Sequence, residues 1–384
     1  MKKIISKLMG GVLLFSFSMS LTSCEDILGE WSRPTPNPVT PSGGTATVTN
    51  ISIDPTLALK VGETGHLTAT VDPAGTAVTW SSDQEAIATV DANGLVTAKA
   101  DGTATITAKA GDKSATCTVT VTEVYTAKDY KEGSWDGTNN KVVFTKQTAA
   151  SEPTAVANSD ANVTWDAGWY TVSGNVTITG DVKLTADAHL ILQDGATLTI
   201  NGKIDCNTNG KNLYIYGQKK GDGKLIVTNS NDYGLRGSAS TFIEIHGGEI
   251  TATTQYNALY AKGIKVYGGK ITATATGNSS GITFGTAGFD VYGGEIEATN
   301  TSTSMAYHGF SNGFSAPLTV YGGKVTATGN ANGSGFRCFV KSGTSGIKFY
   351  FSDNGTDWDA GTSYASATQV GAAGATKKRY AKAE

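Results

Sequence analysis

The sequence has no excess of basic residues. Lysine and arginine number 30 against 33 aspartates and glutamates, and the formal net charge is −3. A surface that binds nucleic acid needs a basic patch, so this balance argues against DNA or RNA as a partner. Histidine and cysteine are scarce at four residues each, and no cysteine pair has metal-ligand spacing. No P-loop, zinc motif or serine–histidine–aspartate set is recognisable.

Three of the four cysteines are scattered through the body of the chain. Cys117, Cys206 and Cys338 are odd in number and widely separated, which does not make a disulfide framework. Cys117 alternates with Val119 and Val121 in "ATCTVTV", and this period of two predicts a small buried side chain.

Glycine is abundant at 48 residues, and threonine, valine, isoleucine and tyrosine fill the spaces between glycines. This composition is typical of short strands joined by tight turns, so we predict an all-β protein. With 384 residues, the chain is long enough for two or three domains.

The N-terminus has the features of a targeting segment. A basic start is followed by the apolar run "LMGGVLLFSFSMSL", which is shorter than the roughly 20 residues that span a membrane. The run ends in "LTSC", which resembles the lipobox of bacterial lipoproteins and implies lipidation of Cys24. The alternative is an ordinary secretory signal. Glu25 and Asp26 resemble the surface-export signal of Bacteroidota lipoproteins. These resemblances imply a cell-envelope protein, anchored to the outer membrane by lipid alone and displayed at the surface.

Residues 48–122 contain seven short segments of period two, separated by turn signals such as "DPAG" and "DANG". This pattern predicts a β-sandwich. "LKVGETGHLTATVDPAG" and "VTWSSDQEAIATVDANGLVTAKADGTATITA" resemble a group 2 bacterial immunoglobulin-like domain. The resemblance implies a spacer or adhesion module, with Trp80 in the core.

A twelve-residue phrase, "IKVYGGKITATA" at 264, recurs at 243, 289 and 318. Its double glycines, at 247, 268, 293 and 322, lie 21, 25 and 29 residues apart, and such periods indicate a solenoid. Two strands in each phrase and a third in each connector predict a parallel β-helix over 173–351. We expect Trp135, Trp165 and Trp169 to cover its first coil, and a hairpin turning at Asn354–Gly355 to close its end.

The predicted fold class is therefore all-β, with an N-terminal immunoglobulin-like β-sandwich and a C-terminal right-handed parallel β-helix (solenoid). The predicted segments are a lipoprotein signal peptide (1–23), a Pro/Gly-rich linker (24–47), the immunoglobulin-like domain (48–122), an N-terminal cap of the β-helix (123–172), the β-helix (173–351), and a C-terminal cap hairpin and tail (352–384).

Aligning the phrases sorts the side chains into columns. Isoleucine, valine and alanine point inward, while charged residues alternate in sign along the outer face. Stacked strands bring such charges within about 5 Å, so opposite signs favour the correct register and the carboxylates have a structural role. The alternating columns are Lys224, Glu249, Lys270, Glu295, Lys324 and Glu244, Lys265, Asp290.

A third outward column is aromatic and consists of Tyr216, His246, Tyr267, Tyr292 and Tyr321. One interpretation is a purely stabilising stack of rings. The other is an exposed platform on which sugar rings pack, since a long aromatic strip on a surface is usually functional. We expect these five residues to be the carbohydrate-binding candidates, with both interpretations open.

"TWDAGWYTVSGNVTI", "LILQDGATLTINGKI" and the "GGEITAT" repeats resemble right-handed parallel β-helix surface proteins of clostridia and Bacteroidota that bind carbohydrate. The resemblance implies a polysaccharide or host glycan as partner, with calcium as a possibility. We expect no other cofactor. "GLRG", "ITFG" and "HGFS" stand where the commoner repeat has "GIGG". Asp353, Asp357 and Asp359 could bind calcium, although ordinary turn aspartates fit their spacing better.

The functional expectation is a non-catalytic surface lipoprotein that binds polysaccharide. The first alternative is an adhesin or scaffold without a glycan ligand. The second is a polysaccharide lyase or glycoside hydrolase on the same fold. A lyase needs a basic residue beside carboxylates, and Arg236 and Arg337 are the solenoid's two arginines, about 100 residues apart in one column. No catalytic set is identifiable, and we predict no enzyme activity.

Overall fold

The structure is a computed structural model, and it describes residues 47–207, 210–303, 306–312, 316–356, 359–366, 368–370 and 380–384. The predicted signal peptide, the lipidation site Cys24 and nearly all of the linker lie outside these residues. Within them every regular element is a strand, which confirms the all-β prediction. No helix in this part of the chain could cross a membrane. The described residues form two compact units, and residues 120–384 belong entirely to the second.

The immunoglobulin-like domain is built from nine strands. They are β1 (Asn50–Ser52), β2 (Thr56–Lys60), β3 (Thr64–His66), β4 (Thr70–Asp72), β5 (Thr79–Ser82), β6 (Ala88–Val90), β7 (Leu95–Ala98), β8 (Gly102–Ala110) and β9 (Lys113–Thr122). A four-stranded sheet has the order β2-β9-β8-β5, and a three-stranded sheet has the order β3-β7-β6. Cys117 is fully buried, as its alternation with Val119 predicts. Trp80 is only half-buried and packs at the edge of the core.

The second unit contains the remaining strands. They are β10 (Asp129–Asp136), β11 (Lys141–Thr148), β12 (Thr154–Ala155), β13 (Val163–Trp165), β14 (Gly168–Val172), β15 (Asn175–Ile178), β16 (Val182–Leu184), β17 (Ala188–Leu192), β18 (Thr197–Ile200), β19 (Ile204–Asp205), β20 (Leu213–Gly217), β21 (Lys224–Asn229), β22 (Leu235–Arg236), β23 (Phe242–Ile245), β24 (Glu249–Thr254), β25 (Leu259–Val266), β26 (Lys270–Ala275), β27 (Ile282–Val291), β28 (Glu295–Asn300), β29 (Phe310–Ser311), β30 (Pro317–Val320), β31 (Lys324–Thr328), β32 (Phe336–Ser342), β33 (Phe349–Ser352), β34 (Thr368–Val370) and β35 (Tyr380–Ala383).

Most of these strands wind into a parallel β-helix with three faces, while β10 and β11 form a separate antiparallel hairpin. Sheet A contains β14, β17, β20, β23, β30 and the second halves of β25, β27 and β32. Sheet B contains β15, β18, β21, β24, β26, β28 and β31. Sheet C contains β13, β16, β19, β22, β29 and the first halves of β25, β27 and β32. Each coil therefore contributes one strand to each sheet.

The interior follows the predicted columns. Ile243, Ile264, Phe289 and Leu318 occupy equivalent sheet A positions and are buried to 1% exposure or less. The alanines of sheet B, which repeat once per coil, are equally buried. Period-two alternation decides which side chains face the core, so sequence alone located this core.

The charge columns are also confirmed. Glu249 pairs in register with Lys224 on one side and with Lys270 on the other, and Glu295 lies between Lys270 and Lys324. The Lys224 ammonium is 3.1 Å from the Glu249 carboxylate. These groups are about half exposed, so each pair contributes under about 1 kcal/mol and mainly favours the correct register.

Both ends of the solenoid are covered, in part as expected. Trp165 is buried in the N-terminal end of the core. At the other end, β35 inserts antiparallel between β31 and β33, and Phe349 bridges to Thr362 across the Asn354–Gly355 turn region. The expectation that Trp135 covers the open core is wrong, because its hairpin lies on sheet A instead.

Candidate functional site

The predicted aromatic column forms a continuous stack, which we call the aromatic ladder: Tyr216, His246, Tyr267, Tyr292 and Tyr321. Successive ring centroids are 4.9, 4.7, 4.9 and 4.7 Å apart, and neighbouring planes differ by at most 19°. This spacing equals the separation of strands in a sheet, because each ring comes from the same position of the next coil. The stacking predicted from the sequence is confirmed.

The ladder is not an exposed surface. The two-stranded hairpin formed by β10 and β11 lies across it, and only 3% of Tyr216 and 5% of His246 remain exposed. The Trp135 ring lies 5.6 Å from Tyr292 and 5.5 Å from Tyr321. The expectation of an exposed aromatic platform is therefore not met at Tyr216 and His246. Tyr267, Tyr292 and Tyr321 stay partly exposed, and Trp135 of the hairpin occupies part of the space where sugar rings would pack, so sugar binding at the ladder stays a prediction.

The approach of the hairpin is very close at Gly133. A Cβ atom at this position would lie 2.6 Å from the Tyr267 Cβ, so only glycine fits. The Gly133 backbone N–H donates to Nδ1 of His246 at 3.1 Å. Beside the ladder, the Gln218 amide donates to the carbonyls of Thr126 and Asp129 at 2.7 and 2.8 Å. The cover is thus held by specific hydrogen bonds as well as by ring packing.

The electrostatics of the ladder agree with this burial. Burial lowers the pKa of His246 to about 4 and raises the pKa of Tyr216 and Tyr292 above the usual tyrosine range. All these groups are therefore neutral at pH 7, as expected for rings removed from water. The arrangement fits a stabilising element better than a ligand platform.

A second group of tyrosines lies at the corner between sheets B and C. We call Tyr233, Tyr256 and Tyr260 the corner tyrosines. The rings of Tyr233 and Tyr256 stack at 5.5 Å, and Tyr260 lies 6.1 Å from Tyr233. The Arg236 guanidinium lies over the Tyr233 ring at 5.2 Å. Tyr256 is 38% exposed, so this cluster presents an aromatic surface to solvent.

A polar groove of about 500 Å³ runs along the same corner in the preceding coils. We call it the corner groove. Every lining residue is an asparagine, threonine, serine, aspartate or glycine: Asn162, Thr179, Gly180, Asp181, Asn201, Gly202, Thr228, Asn229, Ser230 and Asn231. Asn231 is two residues before Tyr233, and the Tyr256 backbone N–H donates to the Asp232 carbonyl at 3.2 Å. Groove and corner tyrosines are therefore neighbours on one surface.

Beside the groove, Lys203 is the centre of a charge cluster. Its ammonium lies 2.5 Å from Asp232, 3.6 Å from Asp181 and 3.9 Å from Asp205, and its side chain is 14% exposed. Burial opposes the charge of Lys203, but the hydrogen bond to Asp232 and the neighbouring carboxylates still raise its pKa. A lysine thus occupies the point where the three carboxylates converge.

Replacing that lysine should destabilise the solenoid. Lys203→Met leaves carboxylates without their cation, so we expect the free energy of unfolding at pH 7 to fall by about 1–3 kcal/mol. Denaturant unfolding measures this loss. Lys224→Met is the matched control, because its pair with Glu249 is half exposed and should contribute under about 1 kcal/mol. Equal, small losses in both variants would contradict the assignment.

The remaining candidate sites are a calcium site near the C-terminal hairpin and the arginine column of sheet C. Among the described residues, no three histidines, cysteines or acids gather as a metal site. Asp359 accepts backbone N–H groups from Phe351 and Gly361, whereas Asp357 lies outside the described residues, so calcium stays a prediction. Arg236 and Arg337 do share a column of sheet C, but Tyr260, Thr283 and Ser311 separate them along the rod.

Sequence reasoning missed the corner tyrosines. Tyr233 and Tyr256 fall in turns, where no strand periodicity assigns a direction to a side chain, whereas Tyr260 follows the buried Leu259 in β25 and points outward by alternation. The sequence did contain a signal, since aromatic residues stand at or next to the equivalent connectors of two consecutive coils.

Comparison with known proteins confirms the prediction for the first domain. Residues 47–121 match the family model described as bacterial Ig-like domain (group 2). The chain therefore carries a bacterial immunoglobulin-like domain. A solved structure of the surface layer protein SbsC, domains 1–6, is similar at 16% identity over 27% of this chain and 22% of that one, with a TM-score of 0.20. Such a score carries no argument about fold or function. No curated protein matches the chain.

Proposed function

We propose that the chain is a non-catalytic cell-surface lipoprotein that binds polysaccharide at the corner between sheets B and C. The observation that carries this proposal is the corner groove, which is lined only by polar residues and glycine and lies next to the corner tyrosines, of which Tyr256 is exposed. Sugars present hydroxyl groups and apolar C–H faces together. A polar groove with an aromatic end complements both kinds of surface.

The remaining architecture suits surface display. The "LTSC" sequence supports lipidation of Cys24, and the Pro-rich linker after it supports a spacer that extends from the membrane. The immunoglobulin-like domain adds a second spacer before the solenoid. The resemblance to carbohydrate-binding β-helix proteins of clostridia and Bacteroidota supports a glycan ligand, in the outer-membrane setting that the lipobox implies.

The absence of catalysis also belongs to the proposal. Several carboxylates of the solenoid surface face lysines of neighbouring coils, as Glu249, Glu295 and Glu244 do. Acids neutralised in this way are suited to fixing register. A scaffold or adhesin without a glycan ligand is the alternative, and a lyase or hydrolase is a more distant one.

A double substitution tests the site. Tyr233→Ala with Tyr256→Ala should reduce retention in polysaccharide affinity gels at least tenfold, because the aromatic surface is removed while the core is untouched. The starting point is a panel of plant, fungal and host polysaccharides, run with and without calcium.

The matched comparison is the ladder variant Tyr267→Ala with Tyr292→Ala, which should bind normally while folded. Loss of retention in the ladder variant alone would move the site to the ladder. No retention of any polysaccharide by the unmodified protein would favour the scaffold alternative.

A further inference from the structure

We infer that the corner groove selects a neutral glycan and excludes acidic ones such as uronate polymers. This inference rests on the proposed polysaccharide binding and specifies its ligand class. Three observations carry it: the donors that the groove presents, the pairing of the nearby cations, and the position of Asp181.

The groove offers oriented hydrogen-bond donors. The Asn162 side-chain oxygen accepts the Asp181 backbone N–H at 2.8 Å, and the Asn229 oxygen accepts the N–H groups of Asn231 and Asp232 at 3.0 and 2.9 Å. These bonds fix which end of each amide faces the backbone. The amide NH₂ groups are left for other partners, and they are donors that suit hydroxyl oxygens.

Further polar groups of the groove have no internal partner. Within the described part of the chain, the side chains of Asn201, Thr228, Ser230 and Asn231 make no hydrogen bond to protein. Hydroxyl and amide groups both donate and accept, as sugar hydroxyls do. A neutral sugar can therefore exchange hydrogen bonds along the whole groove.

No cation of the adjacent cluster is left to hold an acidic sugar. Lys203 already lies within 4 Å of three carboxylates, and the Arg236 guanidinium lies 3.8 Å from Asp205. Recognition of a carboxylate or sulfate uses a cation that forms charge-assisted hydrogen bonds with it. Here both cations are already paired with aspartates of the protein.

The one charged residue in the groove wall is itself acidic. The Asp181 side chain is 37% exposed and lines the groove. One of its carboxylate oxygens also lies 3.6 Å from the Lys203 ammonium. A uronate bound there would place a carboxylate near a carboxylate, and like charges at such distances repel. The same carboxylate accepts hydrogen bonds from a neutral sugar without penalty.

Isothermal titration and affinity gels at low salt give the test. The probes are neutral polymers (mannan, xylan, galactan, β-glucan and fully methyl-esterified homogalacturonan) and acidic ones (polygalacturonate, alginate, hyaluronan and heparin). We expect at least one neutral polymer to bind at least tenfold more tightly than every acidic polymer. Methyl-esterified and de-esterified homogalacturonan form a matched pair with the same sugar backbone, and they differ in the methyl ester that removes the charge.

Variants locate the effect. Asn201→Ala with Asn231→Ala should weaken neutral binding at least tenfold, while Thr251→Ala, an exposed threonine on the outer face of sheet B, should not change it. Asp181→Asn should reduce the discrimination against acidic polymers, because it removes the negative charge of the groove wall.

Each remaining outcome overturns a defined statement. Preferential binding of an acidic polymer overturns the inference and leaves the proposed function standing. Neutral binding that persists in the Asn201/Asn231 variant overturns the groove assignment. Failure of every polymer to bind the unmodified protein overturns the proposed function, and the inference with it.

Discussion

The double variant Tyr267→Ala with Tyr292→Ala should lose about 2–6 kcal/mol of unfolding free energy, and its hairpin should detach first. The variant removes the stacks of Tyr267 on His246, of the two tyrosines on each other, and of Tyr292 on Tyr321, together with the Trp135–Tyr292 contact. Aromatic pairs contribute about 0.5–1.5 kcal/mol each beyond area burial, so four contacts give this range.

Denaturant unfolding and amide hydrogen exchange of residues 129–148 measure the two parts of this expectation. Tyr233→Ala with Tyr256→Ala is the matched control, since it also removes two tyrosines but mainly one stacked pair at a partly exposed site. The control should lose about 1–2 kcal/mol at most. A ladder variant with normal stability and normal hairpin protection would show that the ladder does not hold the hairpin in place.

The sequence predicts the solenoid well because each coil repeats the same local rule. Alternation fixes which side chains point inward, and the spacing of the double glycines fixes which residues of successive coils meet. Ile264, Glu249 and Tyr267 therefore lie in their predicted columns, with the predicted neighbours above and below. These features require only the strand period and the repeat length.

The covering of the ladder could not be found by the same rule. Alternation shows that Tyr267 leaves the sheet on its outer side, but it contains nothing about what packs there. The cover comes from "DYKEGSWD" and "KVVFTKQT", more than 100 residues upstream of most of the ladder, and these segments have no repeat that relates them to it. A pairing between a unique segment and a repeated one leaves no periodic signal in a single sequence.

The corner site was missed for a related reason. Turns have no period, so the directions of Tyr233 and Tyr256 follow from the backbone path at each corner and from contacts such as the Tyr256 N–H to Asp232 carbonyl bond. The charge cluster around Lys203 combines residues from three coils whose spacing differs. Side-chain columns can be predicted along strands, where alternation holds. The groove and two of the corner tyrosines lie in turns, so alternation does not locate them.

Acidification should weaken the fold through His246. Burial lowers its pKa to about 4, against about 6.5 in an unfolded chain, so the unfolded state binds more protons between these values. Stability should therefore be constant above about pH 7 with respect to this group and fall as the pH drops from 6.5 to 4, by about 3 kcal/mol in total. Protonation of Nδ1 would also remove the acceptor of the Gly133 N–H, so the loss should begin at the hairpin.

His246→Tyr isolates this contribution. Tyrosine occupies the four remaining positions of the ladder, and its hydroxyl does not titrate in the acidic range. Unfolding free energies of both proteins, measured from pH 8 to pH 4, should diverge below pH 6.5, with the unmodified protein losing about 3 kcal/mol more. Carboxylates titrate in both proteins and cancel in the difference. His189, whose pKa burial also lowers, is common to both proteins as well. If the two unfolding free energies changed in parallel with pH, protonating His246 would not destabilise the folded state. That result would contradict a ladder that the hairpin shields from water.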